Sequence, residues 1–269
     1  ILYGVYMSEH DTKVKANHND IEESCMKDYE ELSEQDLRIQ LAASYRLVEK
    51  LGWSYLIFGH LTARVPGPEK HFLINPFGLR YDEVTASNLV KIDLDGNIVG
   101  ESEYPVNPAG FIIHSAIHSA REDAHCVMHT HTPAGMAAAA LKEPIKNIDF
   151  DSTALTDRIA FHDFEGVTVR AEECERLSDN LGKKSVMILR NHGLLSVGST
   201  IPHAFIRLHS LERACLVQTL ARSTNEDLIE VSDNIAKSHA NEIENSDKGE
   251  LAFNAMMRLM EKIDPSYKD

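Results

Sequence analysis

Two short apolar runs, residues 124–130 and 185–189, each lead into a histidine-bearing segment, and they constrain this chain more than any other feature. Both read as buried β-strands, too short for a packed helix. The first carries Met128-His129-Thr130-His131-Thr132 at its end. The second is followed by Arg190-Asn191-His192-Gly193. Side chains alternate faces along a strand, so His125, Val127, His129 and His131 share one face and Cys126, Met128 and Thr130 the other. Two imidazoles two residues apart at a strand end can chelate one ion from the same side. His192, at a different strand end, can supply a third nitrogen, and Gly193 lets the backbone approach closely there. Three protein nitrogens with an open position make a catalytic rather than a structural zinc site. Imidazole also accepts Mn2+, Fe2+ or Co2+, so the expectation is one divalent ion per subunit, Zn2+ first.

The rest of the chain reads as one α/β domain over 33–269, preceded by an arm over 1–32 with no clear period. Ser33 caps a helix with an acidic first turn, along which Leu37, Leu41, Tyr45 and Val48 recur, and Gly52 stops it. Residues 53–65 read as strand-like. Residues 71–74 form a short strand after the turn Pro66-Gly67-Pro68, and 90–94 with 97–99 form a hairpin about Asp95-Gly96. Further helices are expected over 111–120 (Ile113, Ala116, Ile117 and Ala120 inward), 133–141, 171–181, 201–222 and 249–263.

Lysine and arginine total 27 against 42 aspartates and glutamates, a net charge of −15. That sign disfavours nucleic acid and anionic membrane surfaces as partners and leaves a small molecule as the expected ligand. The 4 cysteines lack CxxC spacing, and with no apolar run long enough to span a bilayer the expected location is cytoplasmic. Residues 1–6 precede Met7, are too short for a signal peptide, and are set aside as a remnant. No GxSxG elbow, P-loop or GxGxxG fingerprint is present. Among the other histidines, His60 beside Gly59 and His162 are pocket candidates. His114 and His118, one helical turn apart, read as core or interface hydrogen-bonders.

Five segments together resemble the class II aldolase/adducin family: Gly59-His60-Leu61-Thr62-Ala63-Arg64, Asn75-Pro76-Phe77-Gly78-Leu79, His129-Thr130-His131, Arg190-Asn191-His192-Gly193-Leu194-Leu195, and Leu211-Glu212-Arg213-Ala214. The resemblance runs from about Asp36 to Leu220. It implies a three-layer α/β/α fold with a central, largely antiparallel sheet, a homotetramer with active sites at subunit junctions, and zinc on the histidines matching His129, His131 and His192. The catalytic pattern departs from that of the family's sugar-phosphate aldolases. Where they carry Ser-Ser-Glu, this chain has Pro108-Ala109-Gly110, and glycine cannot move a proton. Their phosphate-binding asparagine and threonine correspond to His60 and Phe77. A dianionic phosphate would be poorly satisfied there.

The metal ligands therefore remain while the sugar-phosphate machinery is gone. The expected function is a metal-dependent lyase, cleaving by retro-aldol reaction or decarboxylation, on a small non-phosphorylated oxo- or hydroxy-acid. His60, Asn75, Phe77, Gly78, Asn107 and Gly110 would line the substrate. Glu103, Asp151, Glu212 and His162 are candidates for the replacement acid or for a fourth metal ligand. A non-catalytic, adducin-head-like assembly module is the alternative; the intact histidines and the lack of a basic tail in Asp264–Asp269 weigh against it. A sugar-phosphate aldolase or epimerase with shifted catalytic groups ranks last.

Overall fold

The computed structural model describes residues 29–166, 171–246 and 249–269, and its framework is one mixed sheet of seven strands. Helix α1 (Glu34–Lys50) starts where the sequence indicates. The Ser33 hydroxyl accepts the Asp36 N–H at 3.1 Å, and the Asp36 carboxylate accepts the Ser33 N–H at 3.1 Å, a reciprocal cap. Then follow β1 (His60–Arg64), β2 (Phe72–Ile74), β3 (Val90–Ile92), α2 (Pro108–Ala120), β4 (Cys126–Thr130), α3 (Pro133–Ala139), α4 (Phe150–Ala154) and β5 (Ile159–His162). The chain continues through α5 (Ala171–Leu181), β6 (Val186–Leu189), β7 (Gly193–Gly198), α6 (Ile201–Ser223), α7 (Asp233–Glu244) and α8 (Glu250–Ile263).

The strand order is β3-β2-β1-β4-β7-β6-β5. Every neighbouring pair is antiparallel except β5 with β6. Alternation along each strand divides the interior into two layers. Cys126 and Met128 of β4 pack with Leu37 and Leu41 of α1, Phe205 and Leu208 of α6 and Phe253 of α8. Val127, between them in sequence, packs on the opposite face with Ile113 and Ile117 of α2 and Leu177 and Leu181 of α5. The result is the expected three-layer α/β/α architecture with a mostly antiparallel sheet.

Several local expectations change. Residues 53–59 do not join the sheet: Leu56 (φ 53°) and Gly59 (φ 85°) take left-handed backbone, which breaks a ladder, and only an isolated Tyr55–Phe58 bridge forms. The second arm of the 90–99 hairpin reduces to a single Ile92–Ile98 bridge. On α2 the inward face is Ile113, His114, Ile117 and His118, while Ala120 is exposed. Hydrophobicity alone misassigns this face, because both buried histidines hydrogen-bond to the sheet: Thr62 Oγ1 lies 2.7 Å from His114 Nδ1 and 2.8 Å from His118 Nε2. Elements α4, β5 and α7 are additional to those expected. Residues 1–28 of the expected arm lie outside the described residues; Tyr29 and Leu32 are already part of the core. Among the described residues no helix is long and apolar enough to cross a membrane.

The β4–β7 contact is tight at Gly193. A Cβ there would sit 2.4 Å from the Thr130 carbonyl oxygen and 3.0 Å from His131 Cδ2. Gly193→Ala should therefore destabilise the protein by about 1–3 kcal/mol, through the strain of overpacking. A thermal melt checks this, with a fall of about 2–4 °C expected per kcal/mol for a chain of this size.

Candidate metal centre and its cavity

Strand pairing brings the histidines together. In the β4–β7 ladder His129 lies opposite Leu195 and Thr130 opposite Leu194. The β6–β7 turn is Arg190-Asn191-His192, closed by the Leu189–Gly193 pair. Asn191 adopts a left-handed backbone (φ 57°), which asparagine tolerates better than most residues. The Asn191 N–H donates to the Ala139 carbonyl at the end of α3 (3.2 Å), and the Arg190 N–H donates to the His162 carbonyl (2.8 Å). Held in this way, the turn sets the His192 ring 4.9 Å from that of His129 and 4.8 Å from that of His131.

One nitrogen from each of the three rings lies within 4.8 Å of the others, and His129 Nε2 is 2.7 Å from His131 Nε2. His129 Nδ1 is 2.8 Å from the Leu194 carbonyl oxygen, which only accepts. The proton therefore sits on Nδ1, and Nε2 keeps its lone pair toward the cluster. Burial holds the His129 ring well below the ordinary imidazole range, with His131 and His192 adding to the effect. Burial, then His192, pushes His131 down to about 4. His192 is lowered by burial, with Glu173 opposing it. Neutral imidazoles with converging lone pairs are the donor set a divalent cation requires, so these residues fit a metal.

The strand end is braced from its other face. Glu212 of α6 accepts the Thr130 hydroxyl at one carboxylate oxygen and the Thr132 hydroxyl at the other, each at 2.5 Å. Thr132 also caps α3 by accepting the Gly135 N–H at 2.9 Å. Burial raises the Glu212 pKa, while the two hydroxyls pull it back. Glu212, a candidate acid on sequence grounds, is instead the clamp that aligns the His-Thr-His-Thr run.

Above the histidines opens a cavity of about 470 Å³, lined also by Tyr55, Phe58, His60, Phe77, Asn107, Gly110, Ile113 and Phe164. Among its described lining residues there is no lysine or arginine. His60 is buried, with Nδ1 3.0 Å from Asn75 Oδ1 and Nε2 3.2 Å from Asn107 Nδ2. Asn75 accepts at Oδ1 and Asn107 donates from Nδ2, so His60 is the Nδ1–H tautomer with both nitrogens engaged. Burial lowers its pKa, partly offset by the Asn75 bond. A Cβ at Gly110 would lie 1.8 Å from His60 Cδ2 and 2.0 Å from His60 Nε2. The imidazole thus fills the space a side chain at position 110 would need.

Of the expected substrate-lining residues, His60, Phe77, Asn107 and Gly110 line this cavity. Asn75 stands behind His60, and Gly78 is exposed outside the lining. The expected acids are not at the cavity. Glu103 is exposed beside Ser87–Leu89 and Tyr104, and Asp151 is 2.9 Å from Arg213 in a separate cleft under α6. His162 lies beside His192 in a smaller adjoining cavity, together with Glu173. Glu173 was missed because the acidic stretch that opens α5 reads as a solvated face. Its spacing to Leu177 and Leu181, at i+4 and i+8, is the signal that places it on the inner stripe.

Residues 39–219 match the family model described as Class II Aldolase and Adducin N-terminal domain. A crystal structure of an aldolase II superfamily protein from Pseudomonas syringae is 44% identical, with a TM-score of 0.85 over 88% of this chain and 96% of that one. L-fuculose 1-phosphate aldolase from Glaciozyma antarctica PI12 is 31% identical, with a TM-score of 0.80 over 88% of this chain and 93% of that one. Alpha-adducin of Mus musculus is 46% identical over 244 residues, which is 84% of this chain and 33% of adducin.

The Glu212 clamp makes a direct prediction. Glu212→Gln leaves one buried threonine hydroxyl facing an amide donor instead of an acceptor. It should cost about 1–3 kcal/mol, measured as a lower urea midpoint with an unchanged slope.

Proposed function

Because this chain belongs to the class II aldolase and adducin family, we propose that it is a metal-dependent carbon–carbon lyase for a small, non-phosphorylated oxo- or hydroxy-acid. His129, His131 and His192 would hold one divalent ion per subunit, Zn2+ first, with Mn2+, Fe2+ or Co2+ as alternatives. The observation that carries this reading is an intact three-histidine cluster under a cavity with no lysine or arginine among its described lining residues. Such a cavity is a poor host for a phosphate dianion.

The bound ion would supply a Lewis acid that stabilises negative charge left beside a carbonyl. The remaining work falls to the chain. The aromatic rings of Tyr55, Phe58, Phe77 and Phe164 offer an apolar wall for the carbon skeleton. Asn107 is poised at the wall beside His60. Loss of carbon dioxide from a 3-oxo-acid breaks a carbon–carbon bond and leaves the electron pair next to the carbonyl, where a proton from solvent quenches it. That sequence begins without a base, which suits a site with glycine at position 110. Retro-aldol cleavage needs a group to take the hydroxyl proton, and both nitrogens of His60 are already engaged. Decarboxylation is therefore the favoured variant. Tyr55, Phe58 and Phe164 are 49%, 40% and 56% exposed at the cavity, which supports a homotetramer that covers its mouth at a subunit junction.

A second reading is a non-catalytic, adducin-head-like assembly module. It is favoured by the 46% identity to alpha-adducin and by the engaged His60.

Elemental analysis and a metal-replete substrate screen separate the two. The purified protein should carry one equivalent of divalent metal per chain, lost in His129→Ala and in His192→Ala. Oxo- and hydroxy-acids should be turned over with release of carbon dioxide or aldehyde, and fuculose or ribulose phosphates only poorly. Absence of stoichiometric metal would favour the assembly module, and robust sugar-phosphate cleavage would defeat the substrate assignment. In a companion test Gly110→Glu should destabilise the protein through collision with His60. Adding His60→Asn, which vacates that space, should restore much of the loss.

A further inference from the structure

Beside His192 lies a second, small cavity of about 10 Å³, bounded by His162, Glu173, Leu177, Leu189, Arg190 and His192. His162 closes β5, and Glu173 stands in the first turn of α5, which packs over that strand. Their side chains are only 5% and 3% exposed, with His162 Nε2 3.9 Å from Glu173 Oε1. Asn180, two turns along α5, sets the tautomer. Its Nδ2 lies 2.9 Å from His162 Nδ1, so the amide donates, Nδ1 accepts and the proton resides on Nε2. That N–H has no hydrogen-bond partner in the buried interior. It faces a carboxylate across a gap too long for a direct hydrogen bond but suited to one bridging water.

This pair adjoins the ligand cluster. Both of its members line the same small cavity as His192. The three imidazoles bring no charge of their own to balance a dication, and Glu212 is spent on two threonines at the other face of the strand. A buried carboxylate close to the cluster would offset part of that charge.

We propose that Glu173, facing the His162 N–H across this gap, offsets the charge of the divalent ion that the three-histidine cluster would hold. The inference rests on the metal-site reading above and adds to it a residue pair that touches neither substrate nor metal. It follows that metal affinity, rather than the fold, depends on the Glu173 charge.

The test compares Zn2+ affinity, by chelator competition, and the visible spectrum of the Co2+-loaded protein in the unaltered full chain and in Glu173→Gln, Glu173→Asp and His162→Gln. Glu173→Gln should bind Zn2+ about 10–100-fold more weakly and shift the Co2+ bands, with the metal-free melting temperature little changed. Glu173→Asp, which keeps the charge, should recover part of the affinity. Glu173→Gln binding Zn2+ as tightly as the unaltered chain, with an unchanged Co2+ spectrum, overturns the proposal while leaving the metal site standing. An unaltered chain that takes up no metal overturns the site itself, and the proposal with it. Should Glu173→Gln fail to fold, His162→Gln decides: a smaller loss of affinity in the same direction supports the assignment, and no loss refutes it.

Discussion

The antiparallel ladder between β4 and β7 is the constraint on which the rest of this structure depends. It places Thr130 opposite Leu194, and the Leu194 carbonyl then receives His129 Nδ1–H at 2.8 Å. That one bond decides which nitrogen of His129 keeps a lone pair. The same ladder returns the chain through the Asn191 turn and delivers His192 to within 5 Å, ring to ring, of both other histidines. A register slip of one residue would turn His129 and His131 to the other face of the sheet, toward Glu212 and the α6 layer.

The alternation of faces along β4 lets a single strand serve two purposes. Histidines point into the α2–α5 side, where burial favours their neutral form. Threonines point into the α6 side, where one carboxylate clamps two hydroxyls. A buried carboxylate is costly unless its oxygens are satisfied, and here both are. The clamp thus links the long helix α6 to the position of the ligand strand, so the packing of one layer sets the geometry presented on the other.

Positions 60 and 110 are complementary in space. Gly110 makes room and His60 occupies it, held by Asn75 and Asn107. Behind Asn75 the Tyr45 hydroxyl accepts the Leu61 and Asn75 N–H groups and lies 2.5 Å from the Leu61 carbonyl, tying α1 to both strands beneath the cavity. The imidazole is therefore part of the wall. The cavity is walled largely by apolar side chains, with the three histidines at its floor.

Local chemistry was enough to determine much of this from the sequence. The Ser33 cap, the stripe of α1, the alternation along β4 and the turn residues around His192 depend on near neighbours, and each has its expected form. So does the shared face of His129 and His131, which strand periodicity alone assigns, whereas the meeting with His192 depends on the β4–β7 ladder. The long-range partners were hidden. Nothing adjacent to Glu212 reveals that it will meet Thr130 and Thr132, 82 and 80 residues away, or that His60 will fill the space above Gly110. Glu103 and Asp151 looked equally suited to acid–base work, yet tertiary packing set both away from the cavity and buried Glu173 beside His192 instead. Which side chains face one another across strands and layers is a property of the assembled sheet, since burial, tautomer and proton affinity arise only once the layers close.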